Sequence, residues 1–372
     1  MFENYQAPKE LIPSDPRFGC GPSLIPVEYL QKLAATGVHL MGTSHRKSPI
    51  KNLVKDVQEG LKTYFEVPKD YTVVVGNGGA TLLFDMIGLG VVEKSSLHFT
   101  CGEFSEKWYK AHKLIPWIKA TQNCVLPGEG VNPQMAEGHD MICGTLNETS
   151  TGVMISKLPS VTGDTLLAID ATSGAGQVPC DLSKVDLFFF SPQKVFASEG
   201  GLFIAIMSPK ARARALKIAE DKGRYVPDIM NWAQAIDNSD KNQTYNTPAI
   251  ATMFFLREQV VHMNKLGRKA VEADGNKKAE LIYKWAESRP YLSPYVKEPQ
   301  YRSNVVATID VDDKVDTMAL IALWEKQKIV YGIDAYRKLG RNQFRISMFH
   351  NIRFEDLERL TKLIDHAIKT VL

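Results

Sequence analysis

Two residues carry most of the chemical potential of this chain. Lys194 stands in Ser191-Pro192-Gln193-Lys194, directly after the apolar run Leu187-Phe188-Phe189-Phe190. A lysine at the carboxyl end of a central strand stands where open α/β sheets bind ligands. Held there, its amine can lose a proton and form a Schiff base with an aldehyde. Taken alone, it reads as an ordinary surface lysine, as most lysines are. Asp170 ends another apolar run, Leu166-Leu167-Ala168-Ile169. Taken alone it reads as an N-cap for the next segment. Both residues at strand ends change the reading. A lysine for the Schiff base and a carboxylate facing the pyridinium nitrogen are what pyridoxal phosphate requires of a protein.

A third signal is Gly76-Asn77-Gly78-Gly79-Ala80-Thr81, between an apolar run and a helical pattern. Glycines let backbone N–H groups close on a phosphate, and a helix N-terminus adds a favourable dipole. The Walker and GxGxxG patterns are both absent. Such a turn is often only a tight connection, and a non-catalytic nucleotide- or effector-binding module competes for it. That module has no use for Lys194 and Asp170.

The elements that must position these residues follow from hydrophobic periodicity. Thr72–Val75, Leu97–Thr100, Met141–Leu146, Leu166–Ile169, Leu187–Phe190 and Leu202–Met207 read as strands. Helical patterns run over Ala80–Val92 and Glu103–Leu114, and from Pro209 to Glu220 behind a Ser208 N-cap. Strands apolar on both faces with helices between them predict a mostly parallel sheet covered on both sides. A long helical stretch spans 248–290. Strands Val305–Ile309 and Phe344–Met348 and helices Val315–Gln327 and Phe354–Val371 then predict a smaller α+β unit. The boundary is placed near 262.

At 372 residues the chain has room for two domains of the usual ~150. Lys plus Arg number 45 and Asp plus Glu 42, a net +3 that advertises no nucleic-acid or membrane partner. The five cysteines (Cys20, Cys101, Cys124, Cys143, Cys180) form no CxxC pair and fit reduced thiols in a cytoplasmic protein. The first residues, MFENYQAPKELIP, lack the apolar run of a signal peptide. Apolar runs are far shorter than the ~20 residues of a membrane span. No His, Cys, Asp or Glu cluster has metal-ligand spacing, so no metal is expected.

Several motifs belong together. They are Phe18-Gly19-Cys20-Gly21-Pro22, Ser44-His45-Arg46, Asn147-Glu148-Thr149, Asp170, Gln193-Lys194 and Asn246-Thr247-Pro248. In this order they resemble the phosphoserine aminotransferases, a family of class V, fold-type I pyridoxal-phosphate enzymes. The resemblance spans about residues 18 to 345. It implies an α/β fold with a mostly parallel seven-stranded sheet flanked by helices, in a large cofactor-binding domain over 14–262. A small α+β domain would comprise 263–372 with the segment 1–13.

It further implies that Lys194 carries the cofactor and Asp170 pairs with the pyridine nitrogen. Ala80, Thr81 and Gln193 would hold the phosphate, joined by Asn246 and Thr247 across the interface of a homodimer with shared sites. Thr149 would approach the 3′-oxygen side. Phe104 would stack on the ring where many members have tryptophan, since any flat aromatic can stack. His45 and Arg46 match the family's substrate-binding pair. Arg345 would take the α-carboxylate, leaving Arg337, Arg341 and Arg46 for the distal anionic group. Many members have histidine where this chain has Tyr336, and the spacing to Arg345 is longer here. The reaction implied is transamination between glutamate and 3-phosphohydroxypyruvate, yielding phosphoserine, for serine synthesis and, as an extension, pyridoxine synthesis. A cysteine desulfurase is disfavoured because no cysteine follows Cys180. An alanine– or serine–glyoxylate aminotransferase remains the rival within the fold.

Overall fold

The computed structural model describes residue 2 and residues 5–372. Met1, Glu3 and Asn4, part of the N-terminal segment expected in the small unit, lie outside the described residues. Strands in chain order are β1 (Thr72–Gly78), β2 (Ser95–Thr100), β3 (Lys119–Cys124), β4 (Met141–Thr145), β5 (Asn147–Glu148) and β6 (Val153–Met154). They continue as β7 (Leu166–Asp170), β8 (Leu187–Phe190), β9 (Gly201–Met207), β10 (Leu292–Pro294), β11 (Val306–Val311) and β12 (Gln343–Ser347).

Seven of them form one sheet in the order β1-β9-β8-β7-β4-β2-β3. It is parallel throughout except for β9, which runs against both of its neighbours. Side chains alternate between faces along a strand. Phe188 and Phe190 accordingly join one apolar cluster, and Leu187 and Phe189 another on the opposite face. Helices such as Ser48–Tyr64 and Ile250–Leu266 close the first face, and Ala80–Gly90 and Pro209–Ala219 the second. The expected Ser208 cap is present, its hydroxyl accepting from the Ala211 N–H.

Two elements depart from the periodicity. Strand β3 reads Lys-Ala-Thr-Gln-Asn-Cys, with no apolar face to betray it. It is an exposed edge paired only to β2. The helical stretch near 250–290 is two helices, Ile250–Leu266 and Arg268–Glu287, parted by Gly267 at φ +86°. Glycine adopts that left-handed backbone without the Cβ clash. The break turns the chain from the large sheet, where Ile250–Leu266 packs on Ser48–Tyr64, to a three-stranded antiparallel sheet β10-β11-β12. Tyr5 reaches His366 on the last helix, and Ser14 binds the Asp356 carboxylate there.

Parallel order sets the carboxyl ends of β1, β2, β4, β7 and β8 along one edge. The segments leaving those ends carry Gly78 to Thr81, Gly102 to Phe104, Asn147 to Thr149, Asp170 and Lys194.

Candidate active site

A cavity of about 480 Å³ opens at that edge. Its size is that of a small-molecule site. Lys194, Asp170, Gln193, Ala80, Thr81, Phe104 and Thr149, all read from the sequence, line it. Lys194 is buried, and its Nζ donates to the Cys20 carbonyl at 2.5 Å. The same Nζ lies 5.9 Å from the centre of the Phe104 ring. Burial lowers its pKa from 10.5 to about 8, with help from the Arg345 charge and against the pull of Asp170 and Glu148. Gly21 makes this placement possible. A Cβ there would sit 2.0 Å from Nζ, so any side chain would displace the lysine. The sequence signal for Gly21 was its place in the opening Gly-Pro motif, not its chemistry.

Asp170 ends β7 and is buried. Its carboxylate accepts from the Thr172 N–H at 2.9 Å and the Thr172 hydroxyl at 2.6 Å. Burial raises its pKa to about 6. A cation or a protonated ring nitrogen brought into the cavity offsets that cost. On another wall, Gly79 precedes the helix Ala80–Gly90, whose first-turn N–H groups have no intrahelical partner. They present a ready anion site. Asn147 and Gln193 each keep a buried side-chain oxygen without a hydrogen-bond partner. A site with an amine, a cation-seeking carboxylate, an anion-binding helix end and a flat aromatic wall fits pyridoxal phosphate.

The arginines divide. Arg345 on β12 is half-buried, its Nη1 reaching the Thr149 carbonyl at 3.4 Å and its Nε without a partner. Its guanidinium lies 5.4 Å from the Tyr336 ring, which in turn meets Phe104 edge-on at 6.0 Å. Arg337 is exposed on the short turn Arg337–Leu339, where Lys338 pairs with Glu103. None of these three arginines lines the cavity wall, and Arg341 is turned to another partner. Its fork closes on Asp310 at 3.0 and 2.8 Å, and its face covers Tyr295 at 4.7 Å. The sequence reading has Arg341 helping with phosphate; here its Nε and one Nη2 hydrogen are engaged by Asp310.

His45, Arg46, Asn246 and Thr247 also lie outside the cavity wall and gather in one largely exposed patch. The Thr247 hydroxyl meets His45 Nδ1 at 3.1 Å, and the Asn77 amide donates to Asn246 Oδ1 and the Thr247 carbonyl.

The model of the family described as Aminotransferase class-V matches residues 26–360. The chain belongs to the class-V aminotransferases. A phosphoserine aminotransferase of Nocardioides sp. is 44% identical, over 99% of both chains. One of Corynebacterium glutamicum is 46% identical, over 97% of this chain and 96% of that one. Among solved structures, a phosphoserine aminotransferase from Cytophaga hutchinsonii superposes with a TM-score of 0.85 at 23% identity, covering 95% and 98% of the two chains. An alanine–glyoxylate aminotransferase from Nostoc sp. superposes at 0.79 with 19% identity, over 98% of both chains. The class-V fold is thus shared by proteins named for different substrates.

This class-V chain also holds a group that sequence spacing concealed. His98 on β2, His112 on the helix Glu103–Lys113 and Cys143 on β4 bring their ligand atoms within 4.8 Å of one another. The expectation that no such cluster exists is therefore corrected. His98 Nε2, His112 Nδ1 and Ser96 Oγ are mutually 3.1 Å apart, and His112 Nε2 lies 3.0 Å from the Trp108 N–H and 3.1 Å from the Phe84 carbonyl. Burial drives both imidazoles far below their usual pKa, His112 to about 3. The group is a neutral hydrogen-bonded knot between sheet and helix, and no metal is assigned to it.

The lysine shift has a consequence for stability. Between pH 8 and 10.5 the unfolded chain binds a proton at Lys194 that the folded one has released, so stability rises with pH across that window. The cofactor-free protein should gain unfolding free energy from pH 8 to 10, by on the order of 3 kcal/mol at most. Lys194→Met should flatten that gain. Equal slopes for both proteins in denaturant titrations would refute the assignment.

Proposed function

We propose that this class-V aminotransferase moves the amino group of L-glutamate to 3-phosphohydroxypyruvate, giving 2-oxoglutarate and O-phospho-L-serine, with pyridoxal phosphate as cofactor. The reading is carried by the convergence of Lys194, Asp170 and a free helix N-terminus on one cavity. Its substrate follows the name of relatives 43–46% identical along nearly the whole chain. Serine biosynthesis is the setting that name implies. Pyridoxine synthesis is an extension of the same reading.

When bound, the cofactor supplies an electron sink for charge developing at the substrate Cα. Ala80, Thr81 and Gln193 hold its phosphate, Phe104 its ring face, Thr149 its 3′-oxygen side and Asp170 its ring nitrogen. Lys194 takes the Cα proton and returns it as a general acid, a role suited to an amine whose pKa lies near 8. Arg345 holds the α-carboxylate. In this reading a large unit covers 14–262 and a small one 263–372 with 1–13; the cavity is lined by the former, and Arg345 and Tyr336 of the latter reach Thr149 and Phe104 at its wall.

The active species in this reading is a cytoplasmic homodimer with no nucleic-acid or membrane partner. Among the described residues no helix is long and apolar enough to cross a membrane. The exposed patch of His45, Arg46, Asn246 and Thr247 would complete a partner's cavity, which explains four site residues gathered outside their own. Mixing an inactive Lys194→Ala protein with an Asn246→Ala/Thr247→Ala protein should then recover activity, since one hybrid cavity regains every group. No recovery, with subunit exchange shown separately, refutes shared sites.

The substrate assignment is tested with a panel. Glutamate with 3-phosphohydroxypyruvate should exceed alanine or serine with glyoxylate by at least a hundredfold in kcat/KM, about 3 kcal/mol of discrimination from the phosphate contacts. A protein that prefers glyoxylate belongs to the rival reading. Turnover of phosphohydroxythreonine in the same panel would extend the function to pyridoxine synthesis.

A further inference from the structure

Glu148 is given no contact with substrate or cofactor above, yet it is completely buried one residue from Thr149. A carboxylate without water must find donors. Glu148 finds five: the N–H groups of Phe104 (3.2 Å), Ser105 (2.9 Å) and Ser150 (3.3 Å), and the hydroxyls of Ser105 (2.9 Å) and Ser150 (2.6 Å). Every partner donates, and the carboxylate oxygens accept.

Two of those donors are first-turn N–H groups of the helix Glu103–Lys113, which a helix leaves unsatisfied. Ordinarily the N-cap side chain would take them. Here the N-cap is Gly102, which has none. A Cβ on Gly102 would lie 2.5 Å from the Glu148 Cγ, so the glycine clears the space that the glutamate fills. The cap of this helix comes from the β5 strand instead, and its charge faces the positive end of the helix dipole. The same first turn carries Phe104, whose ring walls the cavity.

We propose that Glu148 is a positioning residue: by capping the helix from β5 it fixes the Phe104 ring against the cofactor. The proposal rests on the reading of the cavity as a pyridoxal-phosphate site. It predicts that Glu148 governs cofactor retention through Phe104 and not independently of it.

The test is a double-mutant cycle on the holoenzyme, read by the rate of cofactor release and by the visible circular dichroism of the bound cofactor. Loss of one aromatic contact should speed release roughly three- to tenfold in Phe104→Ala. Glu148→Ala should match it and weaken the dichroic band. Glu148→Ala/Phe104→Ala should be no faster than Phe104→Ala alone. Glu148→Gln keeps the shape but offers a single acceptor oxygen. It should fall between wild type and Glu148→Ala, and it carries the cycle if Glu148→Ala fails to fold. Effects that multiply in the double variant overturn the proposal. So does a Glu148→Ala protein that loses thermal stability while keeping the wild-type band and release rate. A wild-type protein with no visible cofactor band overturns the cavity reading itself, a result plainly distinct from either.

Discussion

Lys194→Ala is expected to bind pyridoxal phosphate without a borohydride-reducible link to the protein and to lose roughly 10²- to 10⁴-fold in turnover, the range for removing a positioned acid–base group. Among the described residues Lys194 is the single amine in the cavity wall. Its Nζ is held by one carbonyl, beside the Phe104 ring, in a space that Gly21 keeps open. No other described side chain in that wall can move a proton at neutral pH from the same position. Asp170 is tied to Thr172 on a neighbouring strand end. The measurement is mass after borohydride reduction, together with single-turnover rates. A reducible adduct that persists at this cavity in the variant would show that another amine does the work.

Arg345→Ala is expected to cost roughly ten- to a hundredfold in kcat/KM for every amino acid tested, the value of one charge-assisted contact. Its guanidinium lies against Tyr336, with Nε free and Nη1 only loosely engaged at 3.4 Å. Such a half-buried, under-committed cation is poised for a carboxylate, which it can take bidentately. Arg46→Ala and Arg337→Ala should cripple phosphoserine and glutamate and spare serine, because the distal group is theirs in this reading. Arg341→Ala should change both substrates less than about threefold, since Arg341 lies outside the cavity wall with its exposed guanidinium turned to Asp310. Arg345→Ala sparing serine while abolishing phosphoserine would reverse the division. Equal losses in all four variants would make the arginines structural.

The strand ends were legible because β7 and β8 are buried on both faces and read as unbroken apolar runs. A residue following such a run must emerge at the carboxyl edge, so the apolar runs alone assign Asp170 and Lys194 to it. Partners across the fold could not. The commitment of Arg341 to Asp310 needs the β11–β12 pairing. The histidine knot needs a strand and a helix to meet. Glu148 as a cap needs β5 folded over a helix whose own cap residue is glycine. Periodicity reports which face is buried and not what lies against it. Edge strand β3, with neither face buried, left no periodic trace.

The reversed direction of β9 bears on motion. Because it returns beside β8, the lysine segment is a short loop closed by the pairing of Phe190 with Ile204. Three further bonds pin it: the Ser191 hydroxyl to the Leu202 carbonyl, the Ser23 N–H to the Gln193 carbonyl, and the Ala197 N–H to the Lys194 carbonyl. The backbone under Lys194 is therefore immobilised on both sides. Whatever travel the amine needs must come from its four side-chain torsions, which turn over in picoseconds to nanoseconds when free and more slowly when buried. Catalytic turnover near the usual ~10 s⁻¹ leaves many orders of magnitude for that search. The pace of this enzyme should accordingly be set by bond-making or by the exchange of substrates, and hardly at all by the lysine finding its place.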